Sequence, residues 1–512
     1  MNILEQNKEK INGKLATFDR IIVNGYLKSL INPKTFSYFL YENGIFLKDF
    51  KDYAEAQTKE LCEHIENYAK QNGCNTKFLT SSKDSKEDIV KEIFQSNPNK
   101  EGLIATLSAV EYCKVMTVQY NYQLNTLEVV SRSTKCKHYY LYYNDPVFGW
   151  MFIKIQTWFP YNVEIYINAH EYLSKVFDKN NIYYEMFNNS FSYIDDFDKA
   201  QDLANKILNK DFTYSFDKLI NDINIHLPNI KEKNGDSYYY CINQCEFALD
   251  ITFKSINDLN IFYKKLTETT YYTFSCEDIY SFFGRNIKDI SKFRKGSLTS
   301  DLKSWYQGYR IKFRFNKNQI KMYNKGNNLR IEVTINDPKD FKILKTVEDD
   351  ESGEVKNTKK WVPMGKCIIN LYRYAEVSKS IINRFIDALP EIDIEDKVPI
   401  DNIQKVSSKN IINNRKYSAF NILNSETTKL FKTISNGKFI GNGFTNKSIR
   451  KELFIDSENK YTINKLTRLL AKLRAFGIIK KINKKNKYYL TKDGRNLCSS
   501  ILIYIGKELV GI

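Results

Sequence analysis

The chain has 512 residues and carries 78 lysines and arginines against 60 aspartates and glutamates, a formal net charge of +18. Hydrophobic residues make up 42% and aromatic residues 14%, which excludes a largely disordered chain. No apolar run approaches the ~20 residues of a membrane span, and residues 1–10 are too polar for a secretory signal. Nine cysteines are scattered without the spacing of a disulfide framework or a zinc motif. We therefore expect a soluble, cytoplasmic protein without a membrane partner.

The basic residues are concentrated in two segments of the chain. Residues 401–512 contain 23 lysines and arginines against 7 acids, a net charge of +16. Residues 285–330 contain 13 against 2, a net charge of +11, so the remainder of the chain is acidic. Because clustered cations facing a polyanion are typical of nucleic-acid binding, the distribution predicts a nucleic-acid partner, DNA in preference to RNA.

Residues 1–199 have the pattern of an N-terminal α/β region with an antiparallel, aromatic-rich sheet. Residues 18–27 predict a buried strand, and the apolar stripe within residues 52–71 predicts a helix. Between residues 115 and 167, β-branched and aromatic runs separated by turn residues predict an antiparallel meander. A helix at residues 170–179 is expected to follow it.

Residues 200–390 are predicted to form a central α+β domain with a basic hairpin, and residues 391–416 a linker. Strand patterns at residues 309–315, 320–325 and 329–335 are separated by turn residues. No internal repeat is visible in the sequence. The expected fold class is therefore α+β and multidomain: a mixed or antiparallel sheet body with flanking helices, followed by a C-terminal winged helix.

Residues 417–512 predict three helices and a hairpin, at residues 427–434, 446–454, 462–476 and 478–490. This order resembles the winged helix-turn-helix of bacterial regulators, which implies a third helix in the DNA major groove and a hairpin wing on the backbone. A dimerisation or protein-docking module is the alternative. The expected nucleic-acid contacts on the third helix and the wing are Lys465, Arg468, Lys472, Arg474, Lys484, Lys485 and Lys487.

The central hairpin combines a Tyr-x-Lys pair, Tyr323 and Lys325, with an Arg-x-Glu pair, Arg330 and Glu332. This segment resembles one in the rolling-circle replication initiators of plasmids and phages, which nick one strand with a tyrosine and a bound metal. The resemblance implies that Tyr323 attacks, Lys325 stabilises charge and Glu332 assists. Whether the two pairs share a face depends on the hairpin register. The chain departs from the initiators because its four histidines include no His-x-His pair.

If a metal binds, carboxylates must therefore hold it. Glu246 and Asp250 flank Ala248 and share one strand face, while Asp301 and Glu332 could join them if their strands are neighbours. Oxygen ligands suit Mg²⁺ or Mn²⁺, and no other cofactor is expected. An acidic face that forms ion pairs with the basic segment is the alternative. The central cations expected to contact nucleic acid are Arg310, Lys312, Arg314, Lys321 and Arg330.

Over its whole length the chain resembles a family of bacterial proteins without an assigned activity, in residues 18–20, 145–150, 156–160, 321–325 and 329–341. The resemblance implies a shared fold and supplies no catalytic residues. Three functional hypotheses remain open: a mobile-element or replication-type nuclease or strand-transfer enzyme, a non-catalytic winged-helix transcriptional regulator with a large sensing domain, and an RNA-binding protein acting with a structured RNA. A homodimer is left open in each.

Overall fold

The computed structural model describes most of the chain between residues 3 and 501. The gaps are residues 82–83, 97–99, 188, 275, 286–297, 306–307, 350–355, 390–405, 408–409, 413–414, 423, 437–438, 440–442, 455–457, 483–485, 492, 495–496 and 499–500. Two predicted wing cations, Lys484 and Lys485, and much of the predicted linker lie outside the described residues.

The described residues form helices and strands in alternating groups. The helices are α1 (Ile3–Gln6), α2 (Pro33–Glu42), α3 (Phe50–Gln71), α4 (Lys86–Ser96), α5 (Ala169–Lys179), α6 (Phe197–Asn205), α7 (Phe212–Ile223), α8 (Leu227–Asn234), α9 (Ile256–Thr273), α10 (Cys276–Phe282), α11 (Leu371–Ala388), α12 (Ser425–Ile434), α13 (Asn446–Leu453) and α14 (Lys460–Ala475). The strands are β1 (Ile11–Leu27), β2 (Thr76–Phe78), β3 (Gly102–Asn121), β4 (Thr126–Asp145), β5 (Gly149–Gln156), β6 (Val163–Asn168), β7 (Tyr184–Met186), β8 (Phe191–Ile194), β9 (Tyr238–Phe253), β10 (Leu298–Trp305), β11 (Gly308–Phe315), β12 (Asn318–Lys325), β13 (Asn328–Ile335), β14 (Lys342–Asp349), β15 (Lys356–Pro363), β16 (Asn410–Ile412), β17 (Arg415–Tyr417), β18 (Ile479–Lys481) and β19 (Tyr488–Leu490).

Eleven of these strands form one sheet in the order β10-β11-β12-β13-β9-β1-β6-β5-β4-β3-β2. Neighbouring strands are antiparallel except β2 and β3, which are parallel. Helices flank the sheet, so the predicted α+β class with a mixed sheet is confirmed. The predicted meander is present as β3 to β6, although its first strand begins at Gly102.

The sheet contains a topological repeat that is not visible in the sequence. In each half a long strand, β1 or β9, leads through helices into a four-stranded meander whose last strand returns to pair with the first. Because β1 and β9 pair antiparallel at the middle of the sheet, the halves are related by a pseudo-twofold axis across it. The predicted domain boundary at 199/200 therefore lies between two halves of a single sheet.

The two halves also share one hydrophobic core, which includes buried residues from Leu4 to Leu389. In the second half, alternate residues of β11 to β13 face α9, α10 and α11. Phe313 on β11 contacts Phe385 of α11 at 6.1 Å between ring centroids, and Ile331 on β13 is fully buried. The Tyr263 hydroxyl of α9 donates to the Met322 carbonyl. Because side chains alternate along a strand, the polar residues between these positions all project from the opposite face.

A second core lies in the C-terminal segment, where α12, α13, α14 and the β18–β19 hairpin pack together. Leu466 and Leu473 of α14 are fully buried in it. Thr445 forms a capping box with Ser448 at the start of α13, and the Asn459 side chain caps α14. Among the described helices of the chain, none is both long enough and apolar enough to cross a membrane.

Candidate functional site

Three carboxylates from three adjacent strands meet on the polar face of the sheet. Asp19 on β1, Glu246 on β9 and Glu332 on β13 are all buried, and each offers an oxygen within 4.8 Å of the others. Glu332 lies opposite Ala248, so the small alanine leaves space beside the neighbouring Glu246. This grouping forms the acidic centre of the candidate site.

A β-bulge brings Asp19 into this group. Phe18 pairs with Phe247 and Arg20 pairs with Glu246, which leaves Asp19 as an extra residue on β1. A bulge interrupts the alternation of side chains, so Asp19 and Arg20 can both serve the same face. Arg20 then donates to Glu246 at 2.6 Å. The bulge therefore adds a carboxylate and a guanidinium group to the site.

Arg330 lies at the centre of the buried charges. Its side chain has no exposure to solvent, and its guanidinium contacts Asp19 at 2.5 Å, Asp250 at 3.0 Å and Glu332 at 3.6 Å. Burial would lower the pKa of Arg330, but these three carboxylates hold it well above its ordinary value. Arg330 has no exposed surface and is held by the carboxylates around it, so the prediction that Arg330 contacts nucleic acid is wrong. Its role is to hold the carboxylates in place.

The start of α5 and the β7–β8 region cover the deep end of the site. His170 of α5 lies with Nδ1 2.9 Å from Asp19 and Nε2 3.9 Å from Asp250. The Ser190 hydroxyl donates to Asp250 at 3.0 Å, and the Asn328 side chain donates to the Phe191 carbonyl. Asp250 is thus engaged by Arg330, Ser190 and His170, behind the three clustered carboxylates.

Tyr323 and Lys325 project from β12 onto the same face. The register places Tyr323 opposite Arg330 and Lys321 opposite Glu332, which resolves the question that the sequence left open. The Tyr323 hydroxyl donates to Glu332 Oε2 at 2.7 Å, so a proton acceptor is already in place. Lys321 contacts the other oxygen of Glu332 at 2.5 Å and Glu246 at 3.8 Å.

Burial and neighbouring charges shift the pKa values within the site in opposite directions. Burial and the adjacent Glu332 raise the pKa of Glu246. Burial alone would also raise the pKa of Glu332, but Lys321 and Arg330 lower it below its ordinary value. Burial would raise the pKa of Asp19, yet Arg330 and His170 lower it strongly. Two carboxylates are thus held ionised beside a third that protonates more readily, a separation typical of acid–base sites.

The same effects act on the two candidate catalytic residues of β12. Burial lowers the pKa of Lys325 to about 8, and the charge of Arg330 adds to the decrease. Burial raises the pKa of Tyr323 well above its ordinary value, and the acceptor Glu332 adds to this against the opposing charge of Arg330. Tyr323 therefore needs Glu332 to remove its proton before it can act as a nucleophile.

Asp301 lies apart from the other predicted metal ligands. It is on β10, three strand spacings or about 14 Å from Glu332 on β13, and it pairs with Lys312 at 2.8 Å. The condition set by the sequence, that the strands of Asp301 and Glu332 are neighbours, is not met. Glu246, Asp250 and Glu332 do lie together, on adjacent β9 and β13.

Basic residues on β12 and β11 extend from the acidic centre towards the β10 edge of the sheet. Lys321, Lys312 and Asp301 lie in register across β12, β11 and β10. Arg310 and Arg314 lie two residues on either side of Lys312 and therefore share its face. Arg314 is exposed, while Arg310 and Lys312 are partly buried. The second basic segment thus forms a surface, the β11 track, that adjoins the site.

The C-terminal cations have different environments. Arg468 and Arg474 of α14 are exposed, and Lys487 is partly buried beside β19. Lys465 forms an ion pair with Glu426 at 2.8 Å. Lys472 lies 4.0 Å from the centre of the Phe420 ring and donates to the Ala419 carbonyl at 2.9 Å.

The chain matches no family model, no curated protein and no solved structure. The geometry is therefore the basis for a functional assignment. Sequence reasoning missed Asp19, Arg20 and His170, which complete the site. The Asp19-Arg20 pair within a buried strand was the available signal, because adjacent opposite charges on a strand otherwise point to opposite faces.

Proposed function

We propose that the protein binds DNA and cleaves one strand in a metal-dependent reaction of the mobile-element or replication type, with Tyr323 as the nucleophile. The observation that carries the proposal is the Tyr323 hydroxyl bonded to Glu332, within a group of three carboxylates contributed by Asp19, Glu246 and Glu332. A nucleophile, its proton acceptor and an oxygen-rich cation site are the parts that phosphodiester cleavage requires.

Mg²⁺ or Mn²⁺ is the cation that this donor set fits. Its ligands would be the carboxylate oxygens of Asp19, Glu246 and Glu332, and hard divalent cations prefer such oxygens. Lys321 contacts both glutamates, so its ammonium group supplies the positive charge that a bound cation would replace. When bound, the metal would polarise the scissile phosphate and stabilise the charge that develops on it.

The protein's own groups account for the remaining steps. Tyr323 transfers its phenolic proton to Glu332 Oε2 as its oxygen attacks phosphorus, forming a tyrosyl–phosphate bond and releasing the 3′ or 5′ oxygen of the neighbouring nucleotide. Lys325, buried on the same strand face, stabilises negative charge while it is protonated. The guanidinium of Arg330 contacts Asp19 and Glu332 and holds both carboxylates in position. The β11 track positions the strand through its phosphates.

We further propose that the C-terminal segment is a winged helix that directs the body to its target. Its order of three helices and a hairpin supports this, as do the exposed Arg468 and Arg474 on α14. The net charge of +16 over residues 401–512 favours a polyanionic partner. In this arrangement α14 would enter the major groove and the hairpin would contact the backbone.

One observation favours the non-catalytic regulator instead. Among the described residues, four buried acids are matched by four nearby cations. The acids are Asp19, Glu246, Asp250 and Glu332, and the cations are Arg20, Lys321, Lys325 and Arg330. Such a network is electrically balanced without a metal and can serve a purely structural purpose. The two functions differ in whether bound DNA is cut.

A cleavage assay tests the proposal. Labelled single-stranded and double-stranded DNA, with RNA as a separate arm, are incubated with the full chain and Mg²⁺ or Mn²⁺. We expect cleavage of DNA that EDTA abolishes and that Glu246→Ala and Glu332→Ala each reduce by at least ~100-fold. Asp301→Ala is the matched control and should cleave normally, because Asp301 is three strands away. DNA binding without cleavage under every condition would establish the regulator, and selective RNA binding would establish the third hypothesis.

A further inference from the structure

The N-terminal half of the sheet holds a second cluster of potential ligands, distant in sequence from the acidic site. Cys113 on β3 and Cys136 and His138 on β4 each offer one ligand atom, and these atoms lie within 4.8 Å of one another. Cys136 and His138 are two residues apart on one strand and share a face. Because Cys136 pairs with Glu111, Cys113 is its diagonal neighbour on that same face.

The cluster is sheltered and held in place. Cys136 and His138 are buried, and Cys113 is half-buried. The His138 Nδ1 atom lies 3.0 Å from the Cys136 carbonyl oxygen, a hydrogen bond that restricts the orientation of the ring. Such backbone contacts to an imidazole are typical of metal sites, where they fix the ligand before the ion arrives.

A cavity of about 290 Å³ opens beside the cluster, lined in part by Cys113, His138, Lys154 and Gln156. The Lys154 ammonium is engaged by Glu111 at 2.7 Å, and Lys86 is engaged by the same carboxylate at 2.9 Å. Glu111 therefore offsets part of the positive charge of these two lysines, which lowers their repulsion of a cation at the sulfur atoms. The cavity provides room for a fourth, non-protein ligand.

We propose that Cys113, Cys136 and His138 bind one Zn²⁺ ion, with water from the adjacent cavity in the fourth position. Thiolate and imidazole donors suit Zn²⁺, whereas the oxygen donors of the acidic centre suit Mg²⁺ or Mn²⁺. In a tetrahedral site with Zn–S bonds of about 2.3 Å and Zn–N bonds of about 2.0 Å, the ligand atoms lie about 3.5–3.8 Å apart. Shifts on the order of 1 Å would therefore close the site.

The location of this ion suggests what it would do. Among the described strands, β4 pairs with β5 only from His138 onward, while β3 and β4 continue together to a turn near Asn121. The cluster thus lies where this two-stranded arm leaves the sheet. The arm carries exposed Tyr112 and Tyr122 together with Lys135, whose ammonium lies 5.8 Å from the centre of the Tyr112 ring. Zinc would fix the two strands to each other at the base of the arm.

Zinc content of the full-length protein tests the proposal. Protein kept reduced is incubated with zinc chloride, passed through a desalting column and analysed by inductively coupled plasma mass spectrometry. We expect one zinc per chain, lost in Cys113→Ser, Cys136→Ser and His138→Gln. The double variant Cys241→Ser/Cys367→Ser is the matched control, since it removes two other cysteines that pair across a β-bridge, and should keep its zinc.

Cobalt substitution supplies a second readout. Tetrahedral Co²⁺ bound by thiolates gives intense visible and near-ultraviolet absorption, which should appear in the wild-type protein and vanish in Cys136→Ser. Glu332→Ala should bind zinc and cobalt as the wild type does, so the zinc proposal stands or fails independently of the cleavage proposal. Absence of zinc from protein whose thiols titrate as free would overturn the proposal, as would zinc retained in all three single variants. A Cys113–Cys136 disulfide that persists under reducing conditions would also overturn it.

Discussion

Replacement of Arg330 by methionine should destabilise the body of the protein more than replacement of any exposed cation on the same sheet. Arg330 is fully buried and contacts Asp19, Asp250 and Glu332. Removing one partner of a buried ion pair costs about 3–5 kcal/mol, because the charges left behind remain desolvated. Methionine fills similar space, so the loss should arise from charge and not from a large cavity. We therefore expect the free energy of unfolding to fall by about 3–5 kcal/mol at pH 7.

Urea denaturation followed by tryptophan fluorescence is the appropriate assay. All four tryptophans lie before residue 401, so the signal reports on the sheet body and not on the C-terminal segment. Arg310→Met is the matched control: Arg310 is partly exposed on β11, two strands from Arg330 on β13, and its loss should cost less than about 1 kcal/mol. A loss for Arg330→Met no larger than that of the control would refute the buried network.

The pH dependence of this difference provides an internal check. Asp19 has a pKa held below its ordinary value in the folded protein, mainly by Arg330 against the effect of burial. A carboxylate of this kind stabilises the fold above its unfolded pKa, and the contribution is lost as the pH falls through its folded pKa. The variant lacks much of that contribution. The gap between wild type and Arg330→Met should therefore stay constant from pH 7 to about 4 and narrow as the pH falls below the ordinary aspartate pKa of 3.8.

Three further predictions concern activity and binding. Tyr323→Phe should abolish DNA cleavage while leaving DNA affinity within about twofold. The control variant Tyr309→Phe, on the next strand, should cleave normally. Equal cleavage by both variants would exclude Tyr323 as the nucleophile. The cleavage rate should fall as the pH rises through about 8, because Lys325 loses its charge there. Lys325→Arg should remove that fall. An unchanged pH profile in the variant would contradict the role of Lys325 in stabilising charge. Arg468→Gln and Arg474→Gln should each lower the salt dependence of double-stranded DNA binding by about one unit of slope, and an unchanged slope would remove α14 from the interface.

The sequence was sufficient to predict the class of fold and the central hairpin. Alternating apolar and polar residues identified β11, β12 and β13, and the turn residues identified their connections. Asn316 and Gly326 adopt positive φ at these turns, as tight hairpins require. Glu246 and Glu332 could be proposed as ligands of one metal ion because carboxylates on a packed strand face indicate a function. Their strands are indeed neighbours.

The rest of the site depends on contacts that local patterns do not encode. Asp19 joins the site through a bulge, and strict alternation along β1 would have directed it away from Arg20. His170 lies on a helix and reaches the site only because α5 packs over β1. Arg330 was expected to contact nucleic acid because it belongs to the basic segment of residues 285–330, but its side chain is fully buried. Pairing between distant strands fixes each of these positions, and a single sequence does not specify it.

The repeated topology was missed for a related reason. The two meanders share strand order and direction but differ in strand length: β3 and β4 have 20 residues each, while β10 and β11 have 8. Comparable packing can be achieved by different apolar residues, so equivalent positions need not resemble one another. One equivalence is preserved in charge. Lys154 lies opposite Glu164 in the strand register of the first half, as Lys321 lies opposite Glu332 in the second.

The most direct test of the central proposal is a search for a covalent bond between the protein and DNA. Wild-type protein and Glu332→Ala are incubated with single-stranded DNA and Mn²⁺, denatured, digested with a protease and analysed by mass spectrometry. The proposal predicts a nucleotide adduct on the peptide that contains Tyr323, present in the wild type and absent from Glu332→Ala and from Tyr323→Phe. Cleaved DNA with no adduct on Tyr323, or an adduct on another residue, would contradict it.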